Sequence, residues 1–378
     1  MQDCCWGRAD VSSTYRQVSD VPNGAAVIHV AETIKGGIAT YLNAILPLQV
    51  ARYGAGRVLV VIPLDQAHQL TAVDGLSIIT FRRRKHRIIA ALRCALAMRR
   101  ILRKYRVDVV HIHSTFAGIT CRALRPRQKL RPRFIYCAHG WAFDRPGMFG
   151  VAAKLIERWL CLRTDMIICI SDYERSRALR AELPDRLLKV VLNGLPELQV
   201  TPTVKSATMR CVLRLLFIGR TDKQKGLSVL VEALNHVTRQ FTLDVIGASV
   251  LGDQQINISE PRVRVHGWLP PASIPGYLAD CDVLVVPSRW EGFGLTALEG
   301  MRSAVPVLAS RVGGLAELID DGVTGWLVPP GDSSALAVAI DSIEFAQIPS
   351  MGEAAREKFI RLYDVTLTES ALAKIYKE

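Results

Sequence analysis

Short, continuously apolar runs rich in β-branched residues alternate with longer stretches of helical pattern, and this alternation limits the folds open to the chain more than any other feature. One series of runs lies at 26–30, 58–62, 109–113, 133–137, 166–170 and 189–192. A second lies at 214–218, 242–246, 263–266, 283–286, 305–309 and 325–328. Apolarity without alternation suits strands buried on both faces of a parallel sheet. The repeated strand–helix order predicts doubly wound α/β sheets. Between the two series, 196–210 is rich in Pro, Thr, Ser and Val and lacks periodicity, which predicts a linker. The expected organisation is a domain over 1–195, a domain over 211–355 and a C-terminal helix over 356–378. A chain of 378 residues exceeds one ordinary core and suits two such domains.

The charge balance points to an anionic partner. Lys and Arg number 48 against 35 Asp and Glu, a net charge of +13. The stretch from Arg82 to Arg106 contains no acid, and Ile88, Leu92, Ala95, Met98, Leu102 and Tyr105 form an apolar stripe along it. A second acid-free cluster holds Arg122, Arg125, Arg127, Lys129, Arg131 and Arg133. A basic amphipathic helix can lie on anionic lipid headgroups. The plainer reading is a core-facing helix with a solvated outer face, and the two are compatible. Nucleic acid is a poorer partner, because recognition motifs and interleaved aromatics are missing. Nine scattered cysteines form no C-x-x-C and no zinc spacing, which suits a reducing compartment. The first ten residues lack the apolar core of a signal peptide, and no run of about 18 apolar residues occurs. The expectation is a cytoplasmic protein, peripheral on the inner face of the membrane.

The richest stretch for chemistry is 287–302, PSRWEGFGLTALEGMR, between a predicted strand and a predicted helix. Glu291 and Glu299 lie eight apart and flank Gly292-Phe293-Gly294. Glycines admit close backbone approach, and free N–H groups near Leu295 and Thr296 at the helix start would bind an anion. The segment suits a diphosphate held by backbone, with carboxylates on neighbouring hydroxyls. Taken alone, two glutamates at this spacing on a solvated helix would be unremarkable; the glycines and the strand–helix position favour the binding reading. At 217–227, FIGRTDKQKGL, Gly219, Arg220 and Lys225 follow another strand, where cations could neutralise a leaving diphosphate. An isolated Arg/Lys pair there is more commonly a solvated loop. Gly36 and Gly37 hold the matching place in the first half, and His139 ends the strand at 133–137. A lone histidine is usually structural, but a strand end favours substrate contact. Ser171 to Glu174 reads as a capping box. Asp280-Cys281-Asp282 mimics a D-x-D metal motif, yet its place at a helix end and strand start predicts a structural use and no metal. Neither the Walker A nor the dinucleotide fingerprint occurs, which disfavours a dehydrogenase.

With these residues in view, the chain resembles the retaining glycosyltransferases of family 4, with their GT-B architecture of two Rossmann-like domains facing a cleft. The resemblance is strongest from Leu215 to Asp332, and above all in VVPSRWEGFGLTALEGMRSAVPVLASRVGG. KGGIATYL, DVVHIHS, AHGW, CISDYERS and NGLPE extend it through the first half. It implies transfer of a hexose-type sugar from a nucleotide-sugar donor, without metal, to a hydroxyl of a glycan or lipid-linked acceptor in bacterial cell-surface polysaccharide assembly. Glu291 would lie near the 3- and 4-hydroxyls of the transferred sugar, and Glu299 would hold the ribose. Arg220 and Lys225 would bind the diphosphate beside Gly219 and the N–H groups of Gly294, Leu295 and Thr296. Phe293 would belong to the donor site, the loop starting at Trp268 would face the nucleobase, and His139 would contact the donor sugar. Gly36 and Gly37 would approach the phosphate or the acceptor. The alternative is a nucleotide-sugar epimerase of the same two-domain shape, distinguished by turnover without an acceptor.

Overall fold

The computed structural model describes residues 24–83, 87–126, 132–145, 147–198, 211–248 and 260–378. These divide into two compact units. The first takes the chain to Cys169, Arg175–Val191 and the terminal Glu369–Glu378; the second takes Ile170–Glu174 and Leu192–Thr368. Most of the expected linker, 199–210, lies outside the described residues.

The first unit is built on a seven-stranded parallel sheet of β1 (Ala25–Ala31), β2 (Val58–Pro63), β3 (Ser77–Phe81), β4 (Val107–His113), β5 (Arg133–Cys137), β6 (Met166–Cys169) and β7 (Leu188–Val190). Their order is β3-β2-β1-β4-β5-β6-β7. The helices are α1 (Gly37–Tyr53), α2 (Arg87–Lys104), α3 (Thr115–Ala123), α4 (Met148–Leu160) and α5 (Asp172–Arg180). Alternate residues of each strand face opposite sides. Ile28, Val30, Val110 and Ile112 join Cys94, Met98, Ala117 and Cys121 of α2 and α3 in one core. The neighbouring positions His29 and His111 point the other way, toward Gln49 of α1 and Tyr376 at the end of the chain. Strand β3 was not expected. It is an edge strand of SIITF, only partly buried, and its Ser and Thr break the apolar run that marks the other strands.

The second unit repeats the plan. Its strands are β8 (Leu213–Ile218), β9 (Phe241–Ile246), β10 (Val263–Gly267), β11 (Val283–Val286), β12 (Val307–Ser310) and β13 (Gly325–Val328), in the order β10-β9-β8-β11-β12-β13 and all parallel. The helices are α6 (Leu227–Leu234), α7 (Ile274–Asp280), α8 (Leu295–Arg302), α9 (Leu315–Leu318), α10 (Ser333–Ser342) and α11 (Ile348–Tyr363); α12 (Val365–Lys377) starts here, but from Glu369 on it belongs to the first unit. In both sheets the strand order reverses beside the first strand, between β1 and β4 and between β8 and β11. Ligands of such sheets bind outside the carboxyl ends of the strands at that reversal.

Two expectations need correction. The single helix over 356–378 is two helices: Asp364 turns extended between α11 and α12, and its carboxylate caps α12 by accepting the Thr366 N–H at 2.9 Å. Arg122, expected on a basic surface, is fully buried. It donates to both Glu157 oxygens, at 3.0 and 2.8 Å, and its guanidinium lies 3.8 Å from the centre of the Tyr136 ring. Of its cluster, Arg125 is paired with Asp165 at 2.7 Å, while Arg127, Lys129 and Arg131 lie outside the described residues, as do Arg84 and Lys85 before α2.

Candidate active site

In the second unit, the loops after β8 and β11 meet at the reversal of strand order. Lys225 Nζ lies 2.5 Å from a Glu291 carboxylate oxygen, with the two side chains 18% and 12% exposed. Gly226 makes the approach possible: its φ is +70°, and a Cβ there would stand 1.9 Å from the Pro287 carbonyl oxygen. Gln224 ties the loops together. Its side-chain oxygen accepts from Arg220 at 2.8 Å, its carbonyl accepts the Arg289 N–H at 2.8 Å, and its amide donates to Trp290 O at 3.2 Å. Arg220 also pairs with Asp222 at 3.0 Å. Two cations are thus held at one strand end by short polar contacts.

Helix α8 starts just beyond Glu291. Its N-cap, Gly294, has φ +105°, a Cβ there would come within 2.5 Å of Leu315, and no side chain caps the helix. The first N–H groups of an α-helix have no intrahelical partner, so this end offers donors to an anion. One turn on, Glu299 keeps part of its surface open, but the protein around its carboxyl pushes the pKa up to about 7, against the opposing pull of Arg302 and Lys225. The predicted capping box supports this loop. Ser171 Oγ accepts the Glu174 N–H at 3.1 Å and donates to Gly292 O at 3.1 Å, while Glu174 accepts the Ile170 N–H at 3.1 Å. Two predicted donor-site residues stand apart. The Phe293 ring is buried against Tyr363, with centroids 5.9 Å apart, so only its backbone is left for a ligand. Trp268 is 61% exposed just past β10, the edge strand two places from β8. Asp282 of the D-x-D sequence accepts from the Arg214 N–H at 2.9 Å and from its guanidinium at 3.1 Å, the structural use its strand position predicts.

In the first unit, the corresponding strand ends carry buried and mostly uncharged groups. Gly36 caps α1 with φ +77° and no side-chain hydrogen bond, and Gly36 and Gly37 are exposed. Glu32, just past β1, is buried; it accepts the Ser114 hydroxyl and, at 3.0 Å, the Ala117 N–H, so it caps α3 from another strand. Burial raises its carboxyl above the ordinary value, against these hydrogen bonds. His139 lies two residues past β5 with φ +51°, a left-handed conformation in which histidine is enriched. It joins a line of imidazoles: its Nε2 is 3.0 Å from His113 Nδ1, His113 Nε2 is 3.0 Å from His29 Nδ1, and His29 Nε2 is 2.6 Å from Gln49 Oε1. Burial lowers His29 and His139 to about 4 and His113 well below its ordinary value. Near neutral pH each ring is therefore uncharged, with one donor and one acceptor nitrogen. The line must then run with one polarity. With the Gln49 oxygen accepting from His29, each ring in turn accepts from the next, and His139 Nδ1 is left as an acceptor at the strand end. His29, His111 and His113 also bring one ring nitrogen each within 4.8 Å, a set able to hold a metal ion, although His29 and His113 already share a hydrogen bond. Sequence reasoning missed His29, Glu32, His111 and His113 as site residues. The available signal was polar residues inside otherwise apolar strands, as in DVVHIHS.

Two parallel sheets of the same order, each with a polar site where that order reverses, fit the two-domain Rossmann-like GT-B fold. The Anabaena protein Alr3699/HepE, solved in complex with UDP and glucose, shares the fold with a TM-score of 0.73 and 21% identity over 94% of this chain and 100% of that one. Residues 213–343 match the family model Glycosyl transferases group 1, and residues 35–197 match Glycosyltransferase Family 4. The chain belongs to the group 1 glycosyltransferases, which disfavours the epimerase alternative. An uncharacterized 41.2 kDa protein in the cps region of Klebsiella pneumoniae is 32% identical over 363 residues, 93% of this chain and 99% of that protein. The Escherichia coli UDP-Gal:alpha-D-GlcNAc-diphosphoundecaprenol alpha-1,3-galactosyltransferase is 22% identical over 315 residues, 76% of this chain and 80% of its own length.

Proposed function

We propose that the chain is a retaining hexosyltransferase that uses a nucleotide-sugar donor without a metal and acts on a lipid-linked glycan in bacterial cell-surface polysaccharide assembly. The observation that carries the donor reading is the Lys225–Glu291 pair beside the uncapped start of α8, at the reversal of the second sheet. Arg220, Lys225 and the N–H groups of Gly294, Leu295 and Thr296 neutralise the diphosphate, close to Gly219. Glu291 orients the sugar through its 3- and 4-hydroxyls, Glu299 takes the ribose hydroxyls, and Trp268 faces the base. His139 contacts the donor sugar, while Gly36 and Gly37 approach the phosphate or the acceptor. In the reaction the bond from C1 to the diphosphate oxygen breaks and the acceptor oxygen bonds to C1 on the same face. The acceptor proton passes to the departing diphosphate, so the protein mainly positions groups and neutralises charge. The lipid-linked acceptor is supported by the Escherichia coli relative, which acts on a diphosphoundecaprenol-linked sugar. Helix α2, with exposed Ile88 and Leu92 among its arginines, supports a place on an anionic membrane at its cytoplasmic face.

The test is thermal stabilisation by UDP-, GDP- and ADP-sugars with and without EDTA, since a ligand of the native state raises the melting point. The expected result is a shift with one nucleotide-sugar, unaffected by EDTA and lost in Glu299→Ala. A shift that requires a divalent cation would refute the metal-free reading; no shift with any donor would refute the donor reading.

A further inference from the structure

Helix α4 is inside out. A surface helix ordinarily buries its apolar stripe and exposes its polar one. Here the buried positions are Gly150, Ala153, Glu157 and Leu160, and the large apolar side chains face outward. Met148 is 90% exposed, Val151 63%, Leu155 58% and Trp159 52%, with Phe149 and Ile156 exposed beside them. They recur at three- and four-residue spacing and form one face. The helix is held by the buried Glu157–Arg122 pair and by the close fit of Gly150, where a Cβ would stand 2.1 Å from the Arg145 carbonyl oxygen. Folding of the unit makes no use of the apolar face.

Cations border this face. A cavity of about 350 Å³ beside α4 is lined by Arg145, Lys154, Arg177 and Arg180 together with Phe143 and Gly150. Asp144 and Glu182 answer part of the charge, pairing with Arg177 at 2.6 Å and with Lys154 and Arg158 at 3.1 and 3.0 Å. Arg145 lies 5.5 Å from the Phe149 ring centre and Arg163 5.4 Å from that of Trp159, so guanidinium groups sit at the rim of the apolar surface. An exposed apolar face edged by snorkelling cations matches the boundary between headgroups and acyl chains of an anionic bilayer.

We propose that α4 is the membrane-inserting element of this protein: its outward apolar face enters the acyl boundary of an anionic bilayer, and the Arg145–Lys154–Arg177–Arg180 cavity receives lipid phosphates. The inference deepens the lipid-linked reading above and rests on it for its purpose. It goes beyond attraction through α2, because it assigns insertion to a different helix with little of the sequence's basic excess.

The experiment uses the full chain with vesicles of phosphatidylglycerol and phosphatidylcholine, followed by flotation and Trp159 fluorescence. The expected result is binding that weakens about fivefold for each border cation lost, as in Arg180→Gln. Binding should fall at least tenfold in Leu155→Glu/Trp159→Glu, and brominated lipids should quench wild type but spare Trp159→Phe. Donor-induced thermal shift serves as the folding control and should be unchanged in every variant, so failure of the donor reading appears separately. Undiminished flotation of Leu155→Glu/Trp159→Glu would overturn the proposal. So would equal binding to vesicles of phosphatidylcholine alone, or a dimer that the same variant dissolves without changing flotation.

Discussion

Replacing Lys225 by Met separates the structural from the chemical role of the Lys225–Glu291 pair. The ammonium and carboxylate are 2.5 Å apart and mostly buried. Without Lys225, Glu291 keeps only the Ser288 hydroxyl, at 3.4 Å. Breaking a fully buried pair costs about 3–5 kcal/mol; the residual exposure of both side chains lets water reach the orphan, so about 2–3 kcal/mol is expected here. A second change, Glu291→Gln, removes the unpaired charge at nearly constant volume. The double variant should therefore return to within about 1 kcal/mol of wild type by urea unfolding, a large coupling for groups in contact. Catalysis should not return. A positioned donor facing charge that develops in the transition state is worth about 10²–10³ in kcat, and the double variant lacks it. The assay is release of nucleoside diphosphate under saturating donor and acceptor. Recovery of rate together with stability would show an ordinary structural ion pair, and the assigned neutralising role of Lys225 would be wrong.

Four further outcomes follow from the structure. Glu299, raised from 4.5 to about 7, is mostly neutral in the folded protein below that value; the folded state disfavours its ionisation, so stability without ligand should fall as pH rises from about 4.5 to 7, and Glu299→Gln should flatten that slope in pH-dependent melting. The charged form is the stronger hydrogen-bond acceptor for ribose hydroxyls, so the donor KM should fall as pH rises through about 7, and a flat profile in wild type would refute the ribose role. Arg122→Met strands Glu157 in the core and should lower stability by about 3–5 kcal/mol in urea, an expectation that a loss below about 1 kcal/mol would contradict. Gln49→Leu removes the acceptor that sets the polarity of the histidine line; nitrogen-15 NMR of the imidazoles should show His139 protonated on Nε2 in wild type and a mixture of tautomers in the variant, and an unchanged spectrum would detach His139 from Gln49.

The backbone plan was legible because burial on both faces leaves strands no choice but continuous apolarity. Twelve runs in two series appear as strands, with edges shifted by a residue or two, as where the run at 305–309 becomes Val307–Ser310. Strand β3 escaped because an edge strand needs only one buried face and tolerates the Ser and Thr of SIITF. The charged loops after β8 and β11 were legible for a similar reason: glycines and cations at strand ends have few structural duties that demand them. Phe293 misled because its neighbours are loop-like, whereas its ring is a core residue set against Tyr363, seventy positions away in sequence. Arg122 misled because a run of basic residues reads as surface, and the pairing that buries it depends on Glu157 in another helix. The outward apolar face of α4 was hidden too. Periodicity reveals that a helix has an apolar side but not which way that side points.

The two strand-end sites differ in kind, and the difference bears on what each can do. In the second unit the polar groups are ions: Arg220 and Lys225 are held by Asp222 and Glu291. Such an arrangement suits an anionic ligand, because cations and free helix N–H groups are already in place. In the first unit the imidazoles are kept neutral by burial, and Glu32 is biased toward its neutral form by the same cause. With its Nε2–H given to His113, a neutral His139 can accept a hydrogen bond through Nδ1 without adding charge at this strand end. On the proposed contact of His139 with the donor sugar, His139→Lys, which adds charge and removes the acceptor, should impair transfer more than His139→Gln, which keeps a neutral acceptor. The ratio of kcat/KM between these two variants measures how much a neutral acceptor at this strand end contributes to the reaction, and equal values would refute that contribution.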